Sequence, residues 1–343
     1  MEILEIIHYK ENINIIMAKK KLKKSDVTKK SHTVKQNVIK KKKVSVDTES
    51  RIEAIVKPVK KVIKLGGLYF AQIRSRHPSH NAIRNKIKLP FRSVIRFGST
   101  TELEDTIDKG GGRIEINTVE AIKNSASKLK MKNCFTKGSV KTADWWTYER
   151  AGNIFIPQGI GNQGRAIADL PYPVVAKHHF GSRGNGNYLL NSKQELQEWM
   201  KDKDLSNYIF EKFYNYNREY RLHVSANGCF YTCRKMLKSD IPKEDRWFRN
   251  DSNSVWVLEE NPLFDRPINW DVIEKECIKA LKATGLDFGA CDVRVQSSKG
   301  EKGNPRKEVD FIIVEINSAP SFGDITAQKY LEELPKIAKL KKL

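Results

Sequence analysis

Three stretches of this sequence carry side chains suited to phosphate and cation chemistry. The first is Lys177-His178-His179-Phe180-Gly181-Ser182-Arg183-Gly184-Asn185-Gly186. An apolar run delivers a lysine into a loop holding three glycines. Glycines let backbone N–H groups approach phosphate closely, and lysine supplies the countercharge. The spacing is not that of a P-loop, because no Gly-Lys-Ser/Thr follows. An ordinary Gly-rich turn between strands is the alternative. The second stretch is acidic: Asp292 in Cys291-Asp292-Val293-Arg294-Val295, then Glu315 and Asn317 in Ile312-Ile313-Val314-Glu315-Ile316-Asn317. Residues two apart on a strand share a face, so Glu315 and Asn317 point the same way, and a neighbouring strand can bring Asp292 beside them. Three such oxygen donors suit Mg²⁺, which keeps several waters and takes phosphate oxygens. A pair of solvated strand ends is the plainer reading, but acids within apolar runs are costly to bury unpaired. The third stretch is Phe210-Glu211-Lys212-Phe213-Tyr214, followed by Arg218-Glu219-Tyr220-Arg221. A strand running into a short polar loop can hold a nucleotide base by backbone hydrogen bonds. Taken alone, Glu219 and Arg221 read as a cross-strand ion pair.

The order of these pieces is more specific than any one of them. A lysine with a Gly-rich loop, a Glu-Lys hinge, Glu-x-Arg, Asp-x-Arg and Glu-x-Asn follow one another from about Ser93 to Leu331. This resembles the ATP-grasp superfamily of carboxylate–amine ligases, to which D-alanine–D-alanine ligase and the ribosomal-protein glutamate ligase belong. Glu315-Ile316-Asn317-Ser318-Ala319-Pro320 is the most specific part and is similar to the family's metal-binding strand end. The resemblance implies ATP as cofactor, with one or two Mg²⁺ (or Mn²⁺) held by Asp292, Glu315 and Asn317. It implies phosphate contacts from Lys128 and Lys177 beneath the loop Gly181, Ser182, Arg183, Gly184 and Gly186. Lys130 and Lys132 compete with Lys128 for its role. Glu211, Lys212 and Phe213 would line the adenine pocket, largely through backbone groups, and Glu219 would bind the ribose. Lys235 would reach the γ-phosphate and Arg294 would neutralise the transferring phosphoryl group. The implied partners are a carboxylate and an amine (or thiol) acceptor, joined through an acyl phosphate. Two departures stand out. His178 follows Lys177 where relatives commonly carry proline, and the region before Lys128 is short. Arg74, Arg76, His77, His80 and Arg96 in that region are candidates to grip an anionic substrate or are ordinary structural residues.

Local patterns supply the elements that must position these groups. Leu68–Ile73 and Ser93–Gly98 read as strands, Pro78–Ile87 as a helix opened by proline, and Lys109–Gly112 as a loop. Asn117 with Glu120 fits a capping box for a helix running to about Met131, and Lys128 falls near its end. Ser192 with Glu195 repeats that signal for a helix to about Lys201. A helix over Trp270–Thr284 carries Ile273, Cys277, Ala280 and Leu281 on one side and stops at Gly285. Strands are expected at Pro173–Lys177, Tyr208–Phe213, Ala290–Val295 and Val309–Ile316. Tyr220–Ser225 and Cys229–Leu237 form a hairpin about Asn227-Gly228. Helices and strands interleave without strict alternation, which favours an α+β class. The expected organisation is a basic, largely disordered arm over 1–65 and a reduced α/β subdomain over 66–125. An ATP-grasp domain of two lobes over 126–335 and a basic tail over 336–343 follow.

Composition bounds the rest. The 343 residues carry 63 Lys/Arg against 41 Asp/Glu, a net charge of +22. Residues 1–65 hold 18 of those cations and only 7 of the acids. A basic arm of this kind attracts polyanions through residues 18–64, or merely solubilises the chain. Met17, which precedes the first lysine run, is a candidate start. The low Gly, Pro and Cys content excludes collagen-like and disulfide-scaffold chains, and no apolar run approaches the length of a membrane span. The five cysteines, odd in number, fit free thiols in a reducing, cytoplasmic compartment. Two other functional readings compete with the ligase: a non-catalytic basic nucleic-acid-binding protein, and a pseudoenzyme that binds ATP without turnover.

Overall fold

The computed structural model describes residues 67–75, 77–102, 113–151, 154–158, 166–181, 184–296 and 308–342. The basic arm, Met17, Arg76, the loop Lys109–Gly112, Ser182 and Arg183 lie outside the described residues. At the start of the described chain, Leu68–Ile73 does not make the single strand expected. Ala71 donates its N–H to Ile87 O (2.9 Å) and splits the run. The result is β1 (Tyr69–Phe70) and β2 (Gln72–Ser75), which join different sheets. Pro78 opens a short 3₁₀ helix, Pro78–Ile83, rather than a longer α-helix. The strands β3 (Lys88–Leu89), β4 (Ser93–Phe97) and β5 (Ile114–Ile116) complete the module. β2, β4 and β5 form a parallel sheet in the order β2-β4-β5. β4 lies at its centre and is buried at all five positions, as a parallel strand covered on both faces should be.

Two helices follow where one was expected: α1 (Val119–Ala126) and α2 (Lys128–Lys137). Thr118, not Asn117, caps α1, accepting the Ala121 N–H. Asn117 sits at φ 59° instead, and its Oδ1 accepts the N–H groups of Asp287 and Phe288. Ser127 leaves the helical conformation, ends α1 and caps α2 through Lys130 N–H. Lys128 therefore opens a helix instead of closing one. Lys128 and Lys132, four apart, project along one side of it.

The first lobe is an antiparallel sheet of β6 (Trp145–Ala151), β7 (Ile154–Gln158), β8 (Val174–His178), β9 (Asn187–Leu190) and β10 (Tyr208–Lys212), in the order β7-β6-β10-β8-β9. Helix α3 (Lys193–Lys201) crosses between β9 and β10. Ser192 caps it through Glu195 N–H, and Glu195 reaches back to Asn191 N–H at 2.8 Å. Its Leu196 and Met200 are buried with Trp146, Ala176 and Phe210. The second lobe holds the expected hairpin of β11 (Arg218–Ser225) and β12 (Gly228–Leu237), with Gly228 at φ 129° in the turn. It continues with β13 (Ser254–Leu258), α4 (Trp270–Thr284), β14 (Phe288–Gln296), β15 (Asp310–Asn317) and α5 (Asp324–Lys342). The sheet order is β13-β12-β11-β14-β15, antiparallel throughout. α4 buries Ile273, Cys277, Ala280 and Leu281 against this sheet, as its spacing requires, and ends at Gly285 with φ 77°. Residues 336–342 are not a tail: they are the last turns of α5, and Ile337 and Ala338 are buried with Ile83, Phe97 and Tyr330. The α+β class expected from the sequence holds. Among the described residues, no helix is long and apolar enough to cross a membrane.

Candidate active site

A cavity of about 400 Å³ is lined by both lobes and by α2. Lys128, Lys177, Gly181 and Gly184 line one side. Glu219, Arg221, Lys235, Asp292, Arg294, Glu315 and Asn317 line the other. Of the expected site residues that are described, Gly186, Glu211, Lys212 and Phe213 do not line it.

On the first-lobe side, antiparallel pairing of β8 with β10 sets Lys177 opposite Ile209, so Glu211 is its diagonal neighbour. Lys177 Nζ lies 2.6 Å from Glu211 Oε2, and Lys132 Nζ lies 3.2 Å from Glu211 Oε1. All three side chains are buried. Burial alone would raise the Glu211 carboxyl, but the two lysines outweigh it and bring it down to about 2. Burial lowers Lys177 to about 8, only partly countered by Glu211 and reinforced by Lys132. Two cations thus share one carboxylate, leaving an excess positive charge beside the cavity. Lys128 completes this side: its Nζ donates to Gly181 O, where the Gly-rich turn begins. Gly186 in that turn has φ 74°, and a Cβ there would lie 2.9 Å from His178 Cβ, so glycine is required by both torsion and space.

The same geometry shows what Glu211, Lys212 and Phe213, expected at the adenine pocket, are bonded to. The Glu211 side chain is taken up by the two lysines. The N–H groups of Lys212 and Phe213 donate to Asp144 O (2.9 Å) and Pro173 O (3.0 Å). These backbone donors are committed to the first lobe and do not face the cavity.

On the second-lobe side, strand register writes the charge pattern. Glu219 is opposite Lys235 on β12 and Arg294 on β14; one step along, Arg221 is opposite Asp292, which is opposite Glu315. Glu219 pairs with Lys235 (3.3 Å) and Arg294 (3.1 Å). The cross-strand pair expected between Glu219 and Arg221 does not form. Arg221 instead donates from Nε and Nη2 to both oxygens of Asp292, at 2.7 and 2.8 Å. Burial would raise Asp292, but Arg221 outweighs it and holds the carboxyl below its ordinary range. A bulge in the β14–β15 ladder beside Asp292 leaves Val314 as the extra residue and keeps Glu315 aimed at the cavity. Asn317 Nδ2 donates to Glu315 Oε1 at 3.1 Å, so these two do share a face.

The residues expected to hold a metal lie together on this wall. Asp292, Glu315 and Asn317 sit on adjacent strands and supply two carboxylates and an amide oxygen, which fits a hard cation such as Mg²⁺. Among the described residues no group of three or more His, Cys, Asp or Glu assembles. A cation here would fill its remaining positions with water or phosphate oxygens.

Several cavity residues have no counterpart among the expected ones. Trp256 on β13 carries Arg221 and Lys235 over its ring, each at 4.8 Å from the centroid. Arg249 donates to Lys235 O and Asn217 O and stacks on Tyr216. Lys132, which competes with Lys128 for its expected role, does not line the cavity and pairs with Glu211 behind it. Ser254-Val255-Trp256-Val257-Leu258 is apolar almost throughout and does not single out Trp256; its register opposite Lys235 places it at the cavity. Of the basic residues in the N-terminal module, His77 lines the cavity. Arg96 and His80 are fully buried and bonded within the fold, Arg96 to Thr101 O (2.6 Å) and His80 to Pro320 O (2.8 Å). The five cysteines are free thiols, and none lines the cavity.

No protein-family model and no curated protein matches the chain. It is similar to several solved structures. One is D-alanyl-alanine synthetase A from Vibrio cholerae, at 12% identity over 75% of this chain and 79% of that one, with a TM-score of 0.48. D-alanine–D-alanine ligase from Bacillus anthracis is 12% identical over 66% of this chain and 68% of that one, with a TM-score of 0.44. N5-carboxyaminoimidazole synthetase from Staphylococcus aureus, complexed with ADP, is 17% identical over 66% of this chain and 54% of its own, with a TM-score of 0.46. The chain spans about half the length of this last protein.

Proposed function

We propose that this chain is an ATP-dependent carboxylate–amine ligase of the ATP-grasp type. One observation carries the reading. A single cavity joins phosphate-directed lysines and a glycine turn to a wall of paired acids, arginine and lysine. A carboxylate is a poor acyl donor because oxide is a poor leaving group. Transfer of the terminal phosphoryl group of ATP to the carboxylate releases ADP and gives an acyl phosphate. An amine, or a thiol, then attacks the acyl carbon and expels inorganic phosphate.

In this reading Lys128 and Lys177 bind phosphate oxygens, and Glu211 and Lys132 hold Lys177 in place. Lys235 and Arg294 neutralise charge on the transferring phosphoryl group, both oriented by Glu219. Asp292, Glu315 and Asn317 would hold one or two Mg²⁺, which when bound screens charge between phosphates and carboxylate. Asp292 must give up Arg221 to do so, and the freed guanidinium then lies beside the reacting groups as a further anion ligand. The chain's own contribution is positioning and fixed positive charge. The Arg221–Asp292 pair also favours a second reading, in which the chain binds ATP but does not turn it over.

Thermal unfolding with and without Mg·ATP at fixed salt tests the site. Ligand at about 100 times its dissociation constant stabilises the folded state by roughly 2.7 kcal/mol. A shift that is lost in Asp292→Asn and Glu315→Gln, with both variants still folded, supports a metal–nucleotide site. Absence of a shift in the wild type at millimolar Mg·ATP overturns it and makes the basic, nucleic-acid-binding alternative the leading one. ADP release with an acyl-phosphate trap such as hydroxylamine separates ligase from non-catalytic binder.

A further inference from the structure

The N-terminal module reaches the metal-binding strand end at three points. The turn after β15 runs Ser318-Ala319-Pro320-Ser321-Phe322, directly beyond Glu315 and Asn317. His80 is fully buried, and its Nε2 lies 2.8 Å from Pro320 O. Ser79 Oγ accepts the Phe322 N–H at 3.1 Å. Gly98, at φ 65°, lets Ala319 approach so closely that a Cβ on residue 98 would lie 3.0 Å from Ala319 Cβ. The His80 ring stacks on Phe97 (4.3 Å between centroids) and meets the edge of Phe322 (4.6 Å), so its orientation is fixed by packing.

Burial lowers the His80 imidazole to about 4, so the ring is neutral and its hydrogen bonds leave one arrangement. A carbonyl only accepts, so His80 Nε2 carries the proton. Nδ1 is then the acceptor, and it takes the Ser75 hydroxyl at 2.5 Å. Ser75 Oγ in turn accepts His77 N–H at 3.0 Å. A relay of donors thus runs from the cavity-lining His77 backbone through Ser75 and His80 to the Pro320 carbonyl. Proline has no N–H of its own, so this carbonyl is the one backbone hydrogen-bonding group by which residue 320 can be held.

We propose that His80 is a positioning residue for the candidate metal site: by holding Pro320 O it fixes the turn that ends β15 and so holds the strand end carrying Glu315 and Asn317 at the cavity. This rests on the ligase reading above, in which those two residues bind Mg²⁺. His80 touches neither the cation nor the substrates. Groups that orient ligands at one remove typically cost 10–100-fold in metal affinity when removed.

The test uses the full chain with Mn²⁺ as the probe, read by its electron paramagnetic resonance signal in the presence of ATP. Affinity for metal-free ATP is measured alongside in chelator. His80→Phe keeps the stacked ring and removes the donor. His80→Gln keeps an amide donor at comparable reach. His80→Phe is expected to weaken Mn²⁺ binding at least about tenfold while metal-free ATP affinity stays within about twofold, and His80→Gln to recover most of the loss. Ser79→Ala, a milder cut at Phe322, is expected to move Mn²⁺ affinity the same way by roughly threefold and keeps the test available if His80→Phe does not fold. Wild-type Mn²⁺ affinity in both His80→Phe and Ser79→Ala overturns the proposal. So does a loss that is equal in Phe and Gln and extends to metal-free ATP, because that is general destabilisation. If the wild type binds ATP but no Mn²⁺ with it, the ligase reading fails together with this one.

Discussion

The two walls of the cavity solve the problem of buried charge differently. In the first lobe, Glu211 faces two lysines and nothing else of its sign, so the cluster keeps an uncompensated positive charge. In the second lobe, acids and bases are matched in number across strands, though the two carboxylates Asp292 and Glu315 face each other. Glu219 sits between Lys235 and Arg294, and Asp292 sits between Arg221 and Glu315. The first arrangement carries the net charge that suits an anion. The second is near neutral: cations hold Glu219 and Asp292, and the Asn317 amide holds Glu315. A phosphate and a divalent ion could then be taken up side by side without either wall changing its fold. Only the partners of the charged groups would change.

The sharpest break of this contrast is Glu211→Gln. It leaves two buried lysines without a counter-ion, and breaking a buried pair in this way costs about 3–5 kcal/mol, measured as a fall in urea unfolding free energy. Asp292→Asn is expected to cost less, about 2 kcal/mol, because Arg221 loses charge-assisted hydrogen bonds but stays at the cavity wall, where water can reach it. A cost for Asp292→Asn equal to or above that for Glu211→Gln would contradict the distinction between the walls. The smallest effect is a slope with pH. Lys177 titrates at about 8 in the fold, below the ordinary lysine value near 10.5, so between these values the unfolded chain binds more protons. Stability from this group therefore rises with pH across that window, by at most about 1.4 kcal/mol per pH unit. Lys177→Met should flatten that rise relative to wild type. Arg221 and Arg294 in the other wall are held protonated above it and contribute nothing there.

Much of the architecture was legible because it depends on short-range spacing. The apolar stripe Ile273, Cys277, Ala280, Leu281 with Gly285 behind it specifies α4, and Asn227-Gly228 specifies the hairpin. Ser192 and Glu195 specify the start of α3. Strands β3, β5, β6, β7, β9 and β13 were not anticipated, and neither was α5. The split at Ser127 was missed because Ser, Lys and Ala read as helix until the chain must turn there. That error misplaced Lys128 within its helix while still naming it.

By itself, the sequence determined which side chains are available for chemistry and that Glu315 and Asn317 share a face, because strand alternation is a property of the backbone. Only the tertiary structure decided who pairs with whom. Whether Arg221 meets Glu219 or Asp292, whether Lys132 joins Lys177 on one carboxylate, and whether His80 reaches Pro320 depend on strand register and on contacts between residues far apart in the chain. Such contacts are set by the packing of whole sheets and helices, and no local pattern encodes them.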